Sequence, residues 1–245
     1  MTVGHPSVDL STAEAALRAQ WDRLRPWVGR VVDDEIAGAP SVLEGWTVAE
    51  LVAHLGRAMD ALAVVEAAPA GTVPLTLAEY LGSYRGRAAD IQRTTVELAE
   101  EIAGNPLGAV DGFAREAFAR LDKLGPADRV VQARRGPVLL SDMVTSRVIE
   151  LVVHGDDLAR SVRSNRGYAA DTDPVDPGAL DVVARTLLKI VVARGGWDLE
   201  LADARKWVRM AAGRVPYDVD VLAEALHPRY TGDAVPDLGR MLPLL

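Results

Sequence analysis

The sequence contains no cysteine, and this absence limits the chemistry that the chain can perform. Without a thiol of its own, the chain cannot form a disulfide, offer sulfur to a metal ion or use a cysteine as nucleophile. Any thiol chemistry here must therefore use a thiol from outside the chain.

Basic residues and long apolar runs are also scarce. Lys and Arg number 27 against 35 Asp and Glu, which gives a net charge of −8. This balance argues against nucleic acid as a partner, because phosphate binding needs clustered basic side chains. No stretch approaches the ~20 consecutive apolar residues of a membrane span, and residues 1–10 lack the blocks of a signal peptide. We therefore expect a cytoplasmic protein that binds neither nucleic acid nor a membrane.

The residues that are abundant favour helices. Ala, Leu, Val, Glu and Arg dominate the 245 residues, and no clean period-two alternation indicates strands. Three helix starts carry a capping box, in which a Ser or Thr precedes a Glu by three residues. The three pairs are Ser11 with Glu14, Thr47 with Glu50, and Thr76 with Glu79. The sequence therefore predicts an all-α fold.

The helical segments predict an up-and-down four-helix bundle over residues 10–163. Four long helices are expected at 12–32, 47–68, 76–103 and 142–163, with a shorter one at Gly112–Leu124. Residues 164–178 are rich in Asp, Gly and Pro and are predicted to be a linker. Residues 179–245 are predicted to form an additional, mainly helical C-terminal region, with helices near 179–194, 207–212 and 219–226.

Two histidines and a glutamate are candidate ligands of one metal ion. Glu150 and His154 are four residues apart on the fourth helix and so project in the same direction. Their neighbours are apolar, and a buried carboxylate without a partner is costly. His54 lies among apolar residues of the second helix, although spacing alone does not bring it to this pair. Two imidazoles and one carboxylate suit zinc with an open position, and nickel, iron or cobalt would accept the same ligands.

Two charged residues are expected to lie next to these ligands. Asp157 follows His154 by three residues and can accept a hydrogen bond from its imidazole. Arg147 lies one turn before Glu150 and can pair with a carboxylate of protein or substrate. His227 is expected at the end of a short helix, and His5 in a segment with no site role.

Two sequence segments resemble a known family. Gly45–Leu55, with the sequence GWTVAELVAHL, is similar to the second-helix motif of the mycothiol-dependent maleylpyruvate isomerases, a branch of the DinB-like metal-binding bundles. Arg147–Ala159, with the sequence RVIELVVHGDDLA, resembles the fourth-helix motif. The resemblance covers about residues 10–163. It implies that His54, Glu150 and His154 bind one divalent metal, usually zinc, and that mycothiol supplies the thiol.

The C-terminal region departs from that resemblance. Members often carry a sterol-carrier-like α/β domain after the bundle, whereas here 182–194, 207–214 and 235–245 resemble only its helical parts. Residues 179–245 are therefore expected to be a reduced remnant of that domain.

Three hypotheses about function follow. The first is a metal-dependent isomerase or transferase that uses mycothiol and acts on small electrophilic metabolites. The second is a non-catalytic bundle that binds a metal or a small molecule. The third is a metal-free helical domain that retains only the relics of the site. A monomer and a homodimer are both compatible with the sequence.

Overall fold

The computed structural model describes residues 8–83, 86–167, 170, 172–230 and 235–245. Helices dominate this part of the chain, which confirms the mainly helical fold predicted from composition. The helices are α1 (Leu10–Val31), α2 (Asp34–Gly38), α3 (Val48–Ala63), α4 (Leu77–Gly82), α5 (Ala88–Glu101), α6 (Pro106–Leu124), α7 (Leu140–Arg166), α8 (Pro177–Gly195), α9 (Ala204–Ala211) and α10 (Val219–Ala225). The strands are β1 (Glu66–Ala67), β2 (Val130–Ala133), β3 (Gly136–Leu139), β4 (Leu199–Leu201) and β5 (Leu226–Pro228).

Local capping signals start two helices where the sequence predicts them. Thr47 and Thr76 each accept a backbone N–H, and a Glu three residues later completes each capping box. The predicted box at Ser11 is wrong. Asp9 caps α1 by accepting the Thr12 N–H, and the Ser11 hydroxyl donates to the same Asp9 carboxylate at 2.6 Å.

Four helices, α1, α3, α6 and α7, surround the main core. α7 packs against α1 and α3, and α6 packs against α3. α1 and α6 close the ring through side chains, since Arg25 Nε donates to Asp111 Oδ1 at 2.6 Å. Leu17, Leu51, Leu121 and Val148 are fully or almost fully buried between these helices. A four-helix bundle therefore exists as predicted, with α6 as its third member.

The helix directions differ from a strict up-and-down order. α3 and α6 run parallel, because a side chain at Gly56 would meet Phe113, and seven residues later Ala63 accepts from Arg120. α3 and α7 run antiparallel, because residue 54 faces residue 150 and residue 58 faces residue 147. α1 and α7 run parallel, since Gln20 lies against residue 151, and Asp33 pairs with Arg166. The order is thus up-down-down-up, and residues 64–105 make the long connection that this order requires.

The predicted single helix at 76–103 is wrong, because this part of the chain belongs to the long connection. Its residues form two separate helices, α4 and α5, with glycines at 82 and 86 near the break, and α5 packs on the outside of α3. The bundle position belongs to α6, which begins at Pro106 rather than at Gly112. Asn105 caps α6 by accepting the Gly108 N–H. Pro106 fits the first turn, because the backbone N–H that proline lacks would have no partner within the helix there. The predicted end of the second helix at 68 is also late, because α3 stops at Ala63.

Two small sheets complete the part of the fold that the structure describes. Their strands are only two to four residues long, too short for an alternating pattern to be recognised in the sequence. β1, β2 and β3 form an antiparallel sheet at the entry to α7, with Val131 opposite Val138. β4 and β5 form an antiparallel pair in which Glu200 faces His227. The prediction that His227 ends a helix is therefore wrong, because it lies in β5.

The C-terminal helices pack on the bundle. α8 contacts α1, α7 and α9, and Trp207 Nε1 donates to the Ala184 carbonyl at 3.0 Å. Arg205 and Arg209 of α9 both donate to Asp156 of α7, at 2.9 and 2.7 Å. The division into a bundle, a linker at 164–178 and a sterol-carrier-like remnant stays a prediction. Among the helices described, none combines the length and the apolar character needed to cross a bilayer.

Candidate metal centre

The seam between α3 and α7 brings His54, Glu150 and His154 together. Glu150 Oε2 lies 3.2 Å from His54 Nε2 and 3.3 Å from His154 Nε2. The two imidazole rings meet edge to face with centroids 4.6 Å apart. One donor atom from each residue lies within 4.8 Å of the other two. The three candidate ligands proposed from the sequence thus converge on one point, which we call the triad.

Asp157 holds His154 from the side away from the triad. Its Oδ2 lies 3.1 Å from His154 Nδ1, and its side chain is completely buried. Arg214 Nε, from the segment after α9, donates to the same carboxylate oxygen at 2.9 Å. The expected contact between Asp157 and His154 is therefore present. The arginine behind it was not foreseen, because nothing in the sequence relates residue 214 to residue 157.

Arg147 is buried beneath the triad, with only 3% of its surface exposed. Its Nη2 lies 3.9 Å from Glu150 Oε1, and its Nη1 donates to the Ala58 carbonyl at 3.3 Å. The guanidinium therefore supplies positive charge beside Glu150, as its position one turn earlier on the helix predicts.

His54 has two neighbours of its own. Thr95 Oγ1, on α5, lies 3.4 Å from His54 Nδ1, and Trp46 meets the His54 ring edge to face with centroids 5.2 Å apart. Thr95 is completely buried, whereas the other residues of α5 are exposed or partly exposed. The sequence carries no signal for Thr95, because a helical threonine usually bonds its own backbone, as the adjacent Thr94 does with Asp90.

The pKa values at the triad reflect competition between burial and pairing. Burial alone would raise the pKa of Glu150, but hydrogen bonds with His154 and His54 hold it well below its ordinary value. Burial also opposes charge on His154, and its contacts with Asp157 and Glu150 nevertheless raise its pKa. For His54, burial dominates and lowers the pKa. The triad is therefore built around a persistent carboxylate charge.

Two imidazoles and a carboxylate whose donor atoms lie within 4.8 Å of one another are a ligand set for one divalent metal ion, and two of the three separations are close to the tetrahedral value. Zinc with ligands at ~2.0–2.1 Å has tetrahedral donor separations of about 3.3–3.4 Å, and the two separations at Glu150 Oε2 are 3.2 and 3.3 Å. When His154 Nδ1–H donates to Asp157, the lone pair of a neutral His154 points at the Glu150 carboxylate. That arrangement places a positive charge between them, either a proton on His154 or a metal ion in its place.

Two cavities reach the triad from opposite ends of the seam. The first, the triad cleft, has a volume of about 620 Å³ and contacts His54, Glu150 and His154. Trp46 and Val153 form part of its wall, together with Gly213, Arg214 and Leu245 from the C-terminal region. The second, the arginine cavity, has a volume of about 230 Å³ and contacts His54, Glu150 and Arg147. The triad is therefore open to small molecules on two sides.

The protein thus belongs to the class of helical bundles with a candidate metal site. The site is the buried triad at the seam between the antiparallel helices α3 and α7. Within that class, the family model described as the mycothiol maleylpyruvate isomerase N-terminal domain matches residues 17–159. Because this match covers more than half of the chain, the protein belongs to that family.

The chain is also similar, at low sequence identity, to two solved structures. Two structures of mycothiol-dependent maleylpyruvate isomerase, one of them a histidine-to-alanine mutant, are 19% and 18% identical to this chain. Each alignment covers 93% of both chains with a TM-score of 0.49. A comparison with curated proteins found no match. The family membership rests on the match to the family model.

Proposed function

We propose that the protein is a divalent-metal-dependent isomerase or transferase that uses mycothiol and acts on small electrophilic metabolites. The observation that carries the proposal is the convergence of His54, Glu150 and His154 donors within 4.8 Å at the junction of two cavities. Membership in the mycothiol maleylpyruvate isomerase family supplies the thiol and the reaction class.

His54, Glu150 and His154 would hold the metal, with zinc as the first candidate. A bound divalent metal lowers the pKa of an attached thiol and polarises a carbonyl oxygen. The ligand set leaves a coordination position open, since catalytic zinc sites use three protein ligands. The absence of cysteine agrees with this assignment, because an external thiol would meet no competing thiolate from the chain.

The surrounding residues would prepare the site before any substrate arrives. Asp157 accepts from Nδ1 and so turns the Nε2 lone pair of His154 toward the triad. Arg147 balances the Glu150 charge without entering the triad cleft. Apolar residues Ile91 and Val153 line the cleft beside the triad, and they keep bulk water from surrounding a bound thiol.

The test combines metal content with turnover. The purified protein is analysed for metals and then incubated with mycothiol and a panel of small electrophiles, including cis-configured α,β-unsaturated keto acids. We expect about one divalent metal per chain and a thiol adduct or a cis–trans isomer, detected by mass spectrometry and NMR. Glu150→Gln should abolish both.

The alternatives give different results in the same experiment. Metal without any adduct or isomer would support the non-catalytic binding bundle. Wild-type protein that binds no more metal than Glu150→Gln would support the metal-free domain. Omitting mycothiol, or replacing it with another low-molecular-weight thiol, shows whether the activity depends on that cofactor.

A further inference from the structure

The arginine cavity concentrates positive charge in a chain that carries a net charge of −8. Six arginines contact it, against the carboxylates of Asp90 and Glu150 alone among its lining residues. They come from four separate elements, α3, the start of α5, the β2–β3 hairpin and α7. The six are Arg57, Arg87, Arg93, Arg134, Arg135 and Arg147.

Some of these guanidinium groups already have carboxylate partners. Arg134 Nη2 lies 2.7 Å from Asp60, and Arg93 Nη1 lies 2.8 Å from Glu97. Neither of these two carboxylates contacts the cavity. Arg93 also lies 3.7 Å from Asp90, which does contact the cavity, so the positive charge of the cluster is neutralised only in part.

Arg57 differs from these two arginines in its surroundings. It lies on α3, three residues after His54, and is partly buried. In the described part of the chain it has no hydrogen-bond or ion-pair partner. Burial and the nearby charge of Arg134 both lower the pKa of Arg57, which means that its charge is held there against an energetic cost.

The unfavourable position of the Arg57 charge has two possible explanations. The side chain either covers apolar surface or binds an anion in the cavity. An arginine stem can cover apolar surface while its head reaches water, and that role would need no ligand. Several arginines around one cavity favour the anion, since guanidinium groups match the oxygens of carboxylates and phosphates. The volume of about 230 Å³ suits a small ion rather than a large molecule.

We infer that the arginine cavity is a binding site for a small oxyanion with two negative charges, such as a phosphate or a dicarboxylate, and that Arg57 is its main contact. The cavity touches His54 and Glu150, so the anion binds directly beside the triad. The triad cleft then remains for the thiol. If the proposed function is right, the anion is part of the substrate, and that step rests on the proposed function. The binding of the anion itself does not depend on it.

The test measures anion binding to the full-length protein as purified. Inorganic phosphate and malonate are the two dianion probes, and acetate at the same ionic strength is the monoanion control. Calorimetry gives the affinity, and thermal unfolding gives the stability with and without each ion. The variants are Arg57→Gln and a control, Arg115→Gln, which removes the same charge from an exposed position of α6 outside both cavities.

We expect at least one dianion to bind wild type and Arg115→Gln alike, and to bind Arg57→Gln at least tenfold more weakly. Whichever of phosphate and malonate binds more tightly identifies the anionic group. Without any anion, Arg57→Gln should unfold at about the same temperature as wild type, because the lost repulsion from Arg134 and the lost attraction to Asp60 and Glu97 offset each other. A covering role would instead lower that temperature.

Two results would overturn the inference. The first is equal dianion affinity in Arg57→Gln and wild type, as an ion bound only by a metal at the triad would give. The second is an effect of acetate as large as that of both dianions, which would show general screening. Metal content measured on the same samples separates this outcome from failure of the proposed function, since Arg57→Gln retains His54, Glu150 and His154.

Discussion

Arg214 and Asp157 are joined by a hydrogen bond of 2.9 Å, although they lie on opposite sides of the predicted linker. The same carboxylate oxygen lies 3.1 Å from His154 Nδ1. A residue of the C-terminal region therefore fixes the orientation of a candidate metal ligand in the bundle.

The first prediction tests this connection. Arg214→Met should weaken metal binding by about 10–100-fold, the usual effect of losing a partner behind a ligand, because Asp157 then keeps only the longer contact with Arg160 at 3.7 Å and holds His154 less firmly. A competition titration with a chelator measures the affinity. Arg209→Met is the control, since Arg209 pairs with the neighbouring Asp156 at 2.7 Å. Equal affinities in the two variants would show that Arg214 acts only through packing.

The second prediction concerns His54. In the sequence, only the family resemblance, and not the spacing, indicated that it joins Glu150 and His154 as a metal ligand. His54→Ala should lower metal affinity by more than 100-fold, beyond the range for a residue that only supports a ligand. Elemental analysis after dialysis and circular dichroism together separate metal loss from unfolding. His227→Ala is the matched control, because His227 is exposed on β5. Full metal content in His54→Ala would exclude it as a ligand.

The third prediction concerns Asp142, in the first turn of α7. It is buried, and its Oδ1 has no hydrogen-bond partner among the described residues. Burial and the charge of Asp128 raise the pKa of Asp142 to about 7. The folded state therefore retains a proton that the unfolded state releases near its ordinary value of 3.8. Stability from this group is complete below about pH 4 and is lost as the pH rises through about 7.

Asp142→Asn removes that pH dependence. At pH 8 the variant should be more stable than wild type by about 2–4 kcal/mol, and the difference should shrink as the pH falls toward 5. Urea unfolding at both pH values measures the free energy of unfolding. Asp22→Asn makes the same charge change at an exposed position of α1. A difference that does not change with pH would contradict the raised pKa.

The fourth prediction compares two helical glycines. A Cβ atom at Gly56 would approach Phe113 to 3.0 Å and Val110 to 3.2 Å, because α3 and α6 pack closely. At Gly155 the nearest atom, of Gln20, is 3.4 Å away, an ordinary contact. Alanine improves helix propensity by ~1 kcal/mol at either site, whereas overpacking costs ~1–3 kcal/mol.

Gly155→Ala should therefore stabilise the protein by up to ~1 kcal/mol, and Gly56→Ala should destabilise it by about 1 kcal/mol. Thermal and urea unfolding of the two variants against wild type give the comparison. The reverse order would mean that the seam between α3 and α6 is looser than its contacts indicate.

The sequence was informative where physical causes are local. Capping at Thr47 and Thr76 placed two helix starts, and the spacing of Glu150 and His154 placed both side chains on one face of α7. It was less informative where distant segments meet. Asn105 and the proline after it start a bundle helix, whereas the sequence predicted the start of that helix at Gly112.

The same limit applies to charge. Arg93 and Arg134 each stand in a basic stretch of sequence, and both side chains are more than half exposed. They face a common cavity because α5 and the β2–β3 hairpin approach α3 in the fold. Segment composition does not carry that information, and no pattern linked Thr95 to His54 either.

The parallel direction of α3 and α6 has a consequence for the triad. A tight turn could have joined two antiparallel helices and left one side of α3 bare. Because the chain must instead travel back along the bundle before α6 begins, it lays α5 across α3 and brings Thr95 to His54. The cover that α5 forms over His54 therefore follows from the order in which the chain connects its helices. A bundle of the same helices joined in a strict up-and-down order would not need this connection and would leave His54 more exposed to water.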